Sequence, residues 1–468
     1  MEAKTPMRFK RFGPGIAAVA LLAAAAGCSA AGSSAAGGSG GVGGSGGSGG
    51  TVTVNWWTWD PNQALAYEQC IPAFEKANPG IKVDVSQYNV SDYFTKLTAS
   101  FVAGNAPDAF MNSVTYLQSY ASQNQLMPLN KYISQSNLNM SQYSIGASGW
   151  KYTNGDQYAL PMDWATNVLY YNTALVEKAG YTPAEVDKLT WNPQNGGTLW
   201  TLIKHLTVDK NGVRGDQPGF KPGNVSVYGF GNMEATGDPF GQSDWGMLLA
   251  DDNINIPNTN KWATEFDYTN PQVEQSASLI RSLSNDGYSP QLNQFTTADT
   301  EQLGSGAVAM SLGGTWEADT FLSLPNIKVG IAPLPLGSDG TRRLMANSNG
   351  NNMWAGTKNP EQTWKWMSYQ ESAACQAKAS EYNASFLPSI GSATDALVQH
   401  EAAKGQDLSV FADYVKDNEL FPSPVYNNGA TITNYVVPQF EAYFTNKAGN
   451  SIFSAMQAQV KTLLAQQG

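Results

Sequence analysis

Histidine is nearly absent from these 468 residues, and cysteine is almost as scarce: there are two His and three Cys. His205 and His400 stand isolated, so a metal centre built on clustered imidazoles or thiolates is excluded. Charge is thin as well. Asp, Glu, Lys and Arg make up 14% of the chain, against roughly a quarter in an average soluble domain. What charge exists is acidic. The whole chain carries −11, and residues 1–27 hold four basic residues against Glu2, so the remainder sits near −14. Such a surface repels phosphates, which argues against nucleic acid as a partner. No Walker loop, nucleophile elbow or zinc motif is present. Glycoside hydrolysis needs two carboxylates about 5–10 Å apart. Asp60, Asp163 and Glu317 could converge, yet carboxylates in sugar sites also serve simply as acceptors. Long hydrophobic runs are missing too. The longest, Ile16–Ala26, falls well short of the ~20 residues a spanning helix needs.

That run has a meaning of its own. Arg8, Lys10 and Arg11 precede it, and Ala25-Ala26-Gly27-Cys28 ends it, the layout of a secretory signal. The ending resembles a bacterial lipobox, with Ala25 where Leu is usual. The resemblance implies that residues 1–27 are removed, Cys28 takes lipid, and the mature chain is anchored at the extracytoplasmic face of a Gram-positive cell membrane. An ordinary secretory signal with an incidental cysteine is the alternative. Residues 28–50 follow as a Gly/Ser-rich tether, a flexible coil with a reach of about 25 Å. Its Gly-x-Gly-x-x-Gly pattern has no strand before it, so a dinucleotide loop is discarded.

The rest is long enough for two domains. Asn, Gln, Ser and Thr take the place of charge, and there are thirteen Trp. Indole faces cover the C–H face of a pyranose while amides bond its hydroxyls. At least half of those Trp should nevertheless be core.

Residues 51–58, β-branched and aromatic, read as a strand. A helix is expected over 64–77, with Leu65, Cys70, Ile71 and Phe74 on its apolar face. A strand over 81–88, a helix over 91–102 and a buried strand over 106–111 complete a parallel α/β signature. Further strands are expected at 158–161, 167–172, 307–312 and 327–332. Further helices are expected at 199–206, 244–250, 272–286, 360–369, 371–382 and 451–465. Asp209-Lys-Asn-Gly212 is a hairpin turn rather than a calcium loop, because no closing Glu follows.

An ordered set of segments now carries a resemblance. Trp-Trp-Thr-Trp-Asp60 is followed by Phe74-Glu-Lys-Ala-Asn-Pro-Gly-Ile-Lys-Val83 and Ala106-Pro-Asp-Ala-Phe110. Pro161-Met-Asp-Trp164, Val168-Leu-Tyr-Tyr-Asn172, Gly313-Gly-Thr-Trp316 and Asn359-Pro-Glu-Gln-Thr-Trp364 come after. Together they resemble the family 1 extracellular solute-binding proteins, the maltose-binding-protein-like group. The resemblance implies a type II periplasmic-binding-protein-like α/β fold with two hinged lobes and a ligand cleft. The N-lobe would be 51–162 plus 340–390, and the C-lobe 163–339 plus 391–468. Crossings are expected near Met162–Ala165, Pro333–Met345 and Pro388–Ser392. Both Cys70 and Cys375 then fall in the N-lobe, which leaves a disulfide open. The resemblance also implies a sugar or oligosaccharide as ligand, ABC permease subunits as partners, no catalysis, no cofactor and no metal, and a monomer.

Open α/β sheets place ligands at the C-terminal ends of strands. Trp59, Asp60 and Asn62 follow the first strand, although Asp60 can equally cap the next helix. Asn112 and Tyr116 follow the 106–111 strand. Asp163 and Trp164 stand at the first crossing, where the carboxylate can also bond backbone. Gln242 and Trp245 open a C-lobe helix, Trp316 and Glu317 follow a Gly pair, Asn349 and Asn351 lie on an amide-rich loop, and Tyr426 completes the set. Other readings are a non-sugar solute such as a polyamine, which needs cleft carboxylates, or an anion, which needs cleft Arg or Lys. A surface polysaccharide-binding lipoprotein without a transporter is a further one.

Overall fold

The computed structural model describes residues 50–468 except 232–237, 243, 293, 295–297, 386 and 467–468. The expected signal segment, Cys28 and the tether up to residue 49 lie outside the described residues.

In chain order the strands are β1 (Val52–Thr58), β2 (Ile81–Gln87), β3 (Ala109–Asn112), β4 (Ala159–Pro161), β5 (Asn167–Asn172), β6 (Val208–Asp209), β7 (Val225–Val227), β8 (Met310–Gly314), β9 (Val329–Ala332), β10 (Leu344–Ala346), β11 (Gly350–Met353) and β12 (Leu420–Pro422). Two sheets organise the fold. Sheet I has the order β2-β1-β3-β11-β4, and sheet II the order β8-β5-β9. β1 runs parallel to both neighbours, with Trp56 opposite Val85 on one side and Ala109 on the other. β11 is antiparallel to β3 and β4. β5 is antiparallel to β8 and β9, and all six of its residues are buried, as expected of a central strand covered on both faces. β6 pairs with β7, and the turn that follows β6 returns on Arg214 opposite Val208; Asp209 Oδ1 accepts from the amides of Asn211 (2.8 Å) and Val213 (3.0 Å). β10 pairs in parallel with β12.

The expected 64–77 helix is two helices, Pro61–Glu68 and Ile71–Ala77. Pro72 explains the break: it has no N–H to continue the helical ladder and suits a first turn. The break also shifts the apolar face. Leu65 is exposed, while Ala64, Ala66 and Tyr67 point inward. Several helices were not expected, the longest being Gly391–Ala403, Ser409–Lys416 and Gly429–Phe444, the last with Pro438 inside it.

The cores follow the sheets. One face of sheet I packs Trp56, Tyr67, Phe74 and Trp366, and the other packs Tyr93, Phe101, Phe110 and Trp150. Sheet II sits in a larger cluster with Trp191, Trp245, Phe440 and Phe453. Cys70 and Cys375 are joined as a disulfide, Cα–Cα 5.7 Å, tying the Ile71–Ala77 helix to the Ala373–Tyr382 helix. The chain passes from sheet I to sheet II between Pro161 and Asn167 and returns between Ala332 and Gly350. Three segments lie side by side there. Met162 N–H donates to Asn349 O, Trp164 N–H to Leu387 O, and Ala165 N–H to Asn347 O, at 3.0, 3.0 and 2.9 Å.

Candidate functional site

A cleft of about 390 Å³ opens between the strand ends of the two sheets, within the ~300–1,000 Å³ usual for ligand pockets. Its sheet I wall begins where β1 ends. Trp59 leans on Tyr93 and Phe94, with ring centroids 5.3 Å away in each case. Asp60 caps the Pro61–Glu68 helix, its Oδ1 accepting from the amides of Asn62 (2.7 Å) and Gln63 (3.1 Å). That bonding leaves Oδ2 with no protein partner among the described residues.

Asp163 forms the floor, at the first crossing. Its Oδ1 accepts from Asn349 N (2.9 Å), and its Oδ2 from Asn349 Nδ2 (3.0 Å) and from Gln63 Nε2. Burial pushes its carboxyl above the ordinary range, and the Asn349 and Gln63 donors work against that. Gln63 keeps a buried Oε1 with no partner among the described residues. The sheet II wall carries Trp316, just past β8, with Phe240, Gln242 and Tyr426. Gln242 Nε2 donates to Asn347 Oδ1 at 3.0 Å. Asp238 closes this side; its Oδ1 takes the amides of Phe240 (2.7 Å) and Gln242 (3.2 Å), and burial pushes it up to about 6. No Lys, Arg or His lines the cleft among the described residues.

Of the residues expected from sequence, Trp59, Asp60, Asn62, Asp163, Trp164, Gln242, Trp316, Asn349 and Tyr426 line this one cleft. Five do not. Trp245 is 1% exposed and packs on Phe440, centroids 4.2 Å apart, because the Gly429–Phe444 helix covers it. Asn351 is buried in the sheet I core, accepting from Trp56 Nε1 (3.2 Å) and donating to Gln370 Oε1 and Glu371 Oε1, because the end of the Pro360–Gln370 helix packs over it. Glu317 turns back to accept the Gly314 amide at 2.9 Å. Tyr116 stacks behind Phe94 at 4.0 Å, so Phe94 presents the ring that lines the cleft. Asn112 is fully buried at the end of β3, and its amide finds no partner among the described residues. Sequence reasoning missed Gln63, Phe94, Asp238, Phe240 and Asn347. Gln63 stands one turn from Asp60 and carries a signal in hindsight; Asp238 and Asn347 carry none, because only the fold brings them in.

Residues 69–406 match the model of a family described as bacterial extracellular solute-binding protein. The chain belongs to that family. A binding protein of Brucella abortus is 24% identical over 382 residues, covering 79% of this chain and 82% of its own. Among solved structures, Listeria monocytogenes Lmo0181, an ABC substrate-binding protein in complex with cycloalternan, superposes with TM-score 0.73 at 20% identity (88% of this chain, 98% of that one). Mycobacterium tuberculosis UspC superposes with TM-score 0.70 at 22% identity (88% and 100%). At these identities the likeness establishes the fold, the type II periplasmic-binding-protein-like α/β architecture of this solute-binding family. Within it, the cleft described above lies where two sheet-centred halves face each other.

Proposed function

We propose that this solute-binding protein captures a sugar or oligosaccharide in the cleft and delivers it to an ABC importer, held at the outer membrane face by lipid on Cys28. The observation that carries the reading is the cleft chemistry. Indole faces from Trp59 and Trp316 stand among amides and carboxylates, with no cation lining the cleft among the described residues. Rings cover apolar sugar faces, and carboxylates and amides bond hydroxyls. An anionic solute would face the carboxylates of Asp60, Asp163 and Asp238 with no cation to offset them among the residues lining the cleft. The cycloalternan bound to the Listeria relative agrees with a saccharide.

Residues 51–162 with 340–390, and 163–339 with 391–468, act as the two lobes. A ligand bridging both walls favours their closed arrangement through contacts available only there, and a permease reads that closed shape. Asp60 and Asp163 are held by amide donors and act as fixed acceptors, so no bond-breaking step is assigned to them. Calorimetry against mono- and oligosaccharides tests the reading. Trp316→Ala should weaken the true ligand by about 1–3 kcal/mol, and parent-like affinity in that variant would overturn the assignment. Asp60, Asp163 and Asp238 together also suit a polyamine; spermidine in the same panel separates the two, since a saccharide site shows no binding of it.

A further inference from the structure

A second hollow, of about 330 Å³, adjoins the cleft. One side is the turn around Tyr152, the other the loop around Trp262, and Pro422, Ser423 and Val425 line it between them. Ser423 lines both hollows, and its Oγ is buried with no partner among the described residues. Tyr152 and Trp262 touch edge to face where they line the hollow, centroids 5.2 Å apart.

Trp262 is conformationally out of place. Its φ is 52°, in the left-handed region, whereas every other described non-glycine residue with positive φ is Asn. Asn tolerates that region through its short polar side chain; a bulky residue there is strained and persists only where its surroundings hold it. Here they do: Ala263 N–H donates to Val425 O at 2.7 Å and Val425 N–H to Asn260 O at 3.2 Å. The backbone thus spends strain to keep a half-exposed indole at the hollow's rim. Lys151 and Lys261 line this hollow and no carboxylate does, the reverse of the neighbouring cleft.

We propose that the ligand is an oligosaccharide that leaves the cleft across Ser423 and seats a further unit in this hollow against Trp262 and Tyr152. The proposal rests on the saccharide reading above and adds chain length to it. The rings supply stacking faces, Ser423 Oγ a hydroxyl partner, and the two lysines donors for oxygens of that unit.

The test is calorimetry of the full chain with gluco-, manno- and galacto-oligosaccharides of one to five units. The parent should bind the preferred series at least about tenfold more tightly once the chain outgrows the cleft. Trp262→Gly removes the ring and also frees the backbone from strain. It should lower that length-dependent gain about fivefold or more while keeping Tm within about 2 °C of the parent. Tyr152→Ala should lower the same gain. Trp316→Ala should weaken every length and leave the gain intact. A gain with length that survives both Trp262→Gly and Tyr152→Ala overturns the proposal, as does a parent indifferent to length. Failure of every saccharide to bind the parent brings down the saccharide reading itself, a result distinct from binding without a length effect.

Discussion

Glu371 is fully buried, with Tyr67 Oη at 3.1 Å, Asn351 Nδ2 at 3.0 Å and Gln376 Nε2 at 3.1 Å around its carboxyl. Burial pushes it from its ordinary 4.5 up to about 8, against the pull of those donors, and the nearby Asp163 charge adds to the rise. Between those two values the folded protein keeps a proton that the unfolded chain has released. Stability therefore falls as pH rises through the window, because the native state binds more protons. Each pH unit is worth at most about 1.4 kcal/mol, which over this window sums to about 5 kcal/mol. Relaxation and water entry around a buried charge reduce that, leaving an expected loss of about 2–5 kcal/mol. Glu371→Gln removes the titration and preserves the shape. Urea unfolding of parent and variant at steps from pH 5 to 9 isolates the effect, since all other groups are common to both. The curves should nearly coincide at pH 5 and separate toward pH 8, with the parent the less stable. Curves that stay parallel across the range would refute burial as the dominant influence on this carboxyl.

Two further outcomes probe packing and the cross-link. Trp245→Ala, which empties a core site against Phe440, should cost about 3–5 kcal/mol in denaturant unfolding and shift saccharide affinity less than twofold; a large affinity loss at full folding would place the indole in the site after all. Replacing Cys70 and Cys375 together by Ser opens a loop of 305 residues, so stability should drop by about 2–5 kcal/mol with ligand affinity retained. Unreduced parent should show neither thiol to alkylation, and ready labelling of both would contradict the bond.

The parallel start of sheet I was legible because β1, β2 and β3 each announce themselves by β-branched or apolar runs closed by turn residues. β5 was legible for the same reason. Of the helices at 391–444, Gly391–Ala403 is weakly patterned and Gly429–Phe444 carries Pro438, which hides their period, whereas Ser409–Lys416 does show an apolar spacing at Phe411 and Tyr414. Cleft-lining residues that follow directly on a strand, such as Trp59, Asp60 and Trp316, could be placed from order along the chain alone. Trp245 and Asn351 could not, because a residue's facing depends on what packs over it.

The amino-acid sequence by itself determined the acidic, cation-poor character of the molecule, the local strand and helix runs, the turn chemistry at Asp209 and the capping residue Asp60, because these depend on side-chain type and near neighbours. Tertiary structure alone decided which indoles face the cleft, that Asp163 meets Asn349 across 186 residues, that Asp238 joins the same wall, and that Cys70 reaches Cys375. Those pairings arise when the adjacent segments at 162–165, 347–349 and 387 and two sheets pack together, and a burial pattern set by distant segments leaves no trace in local spacing.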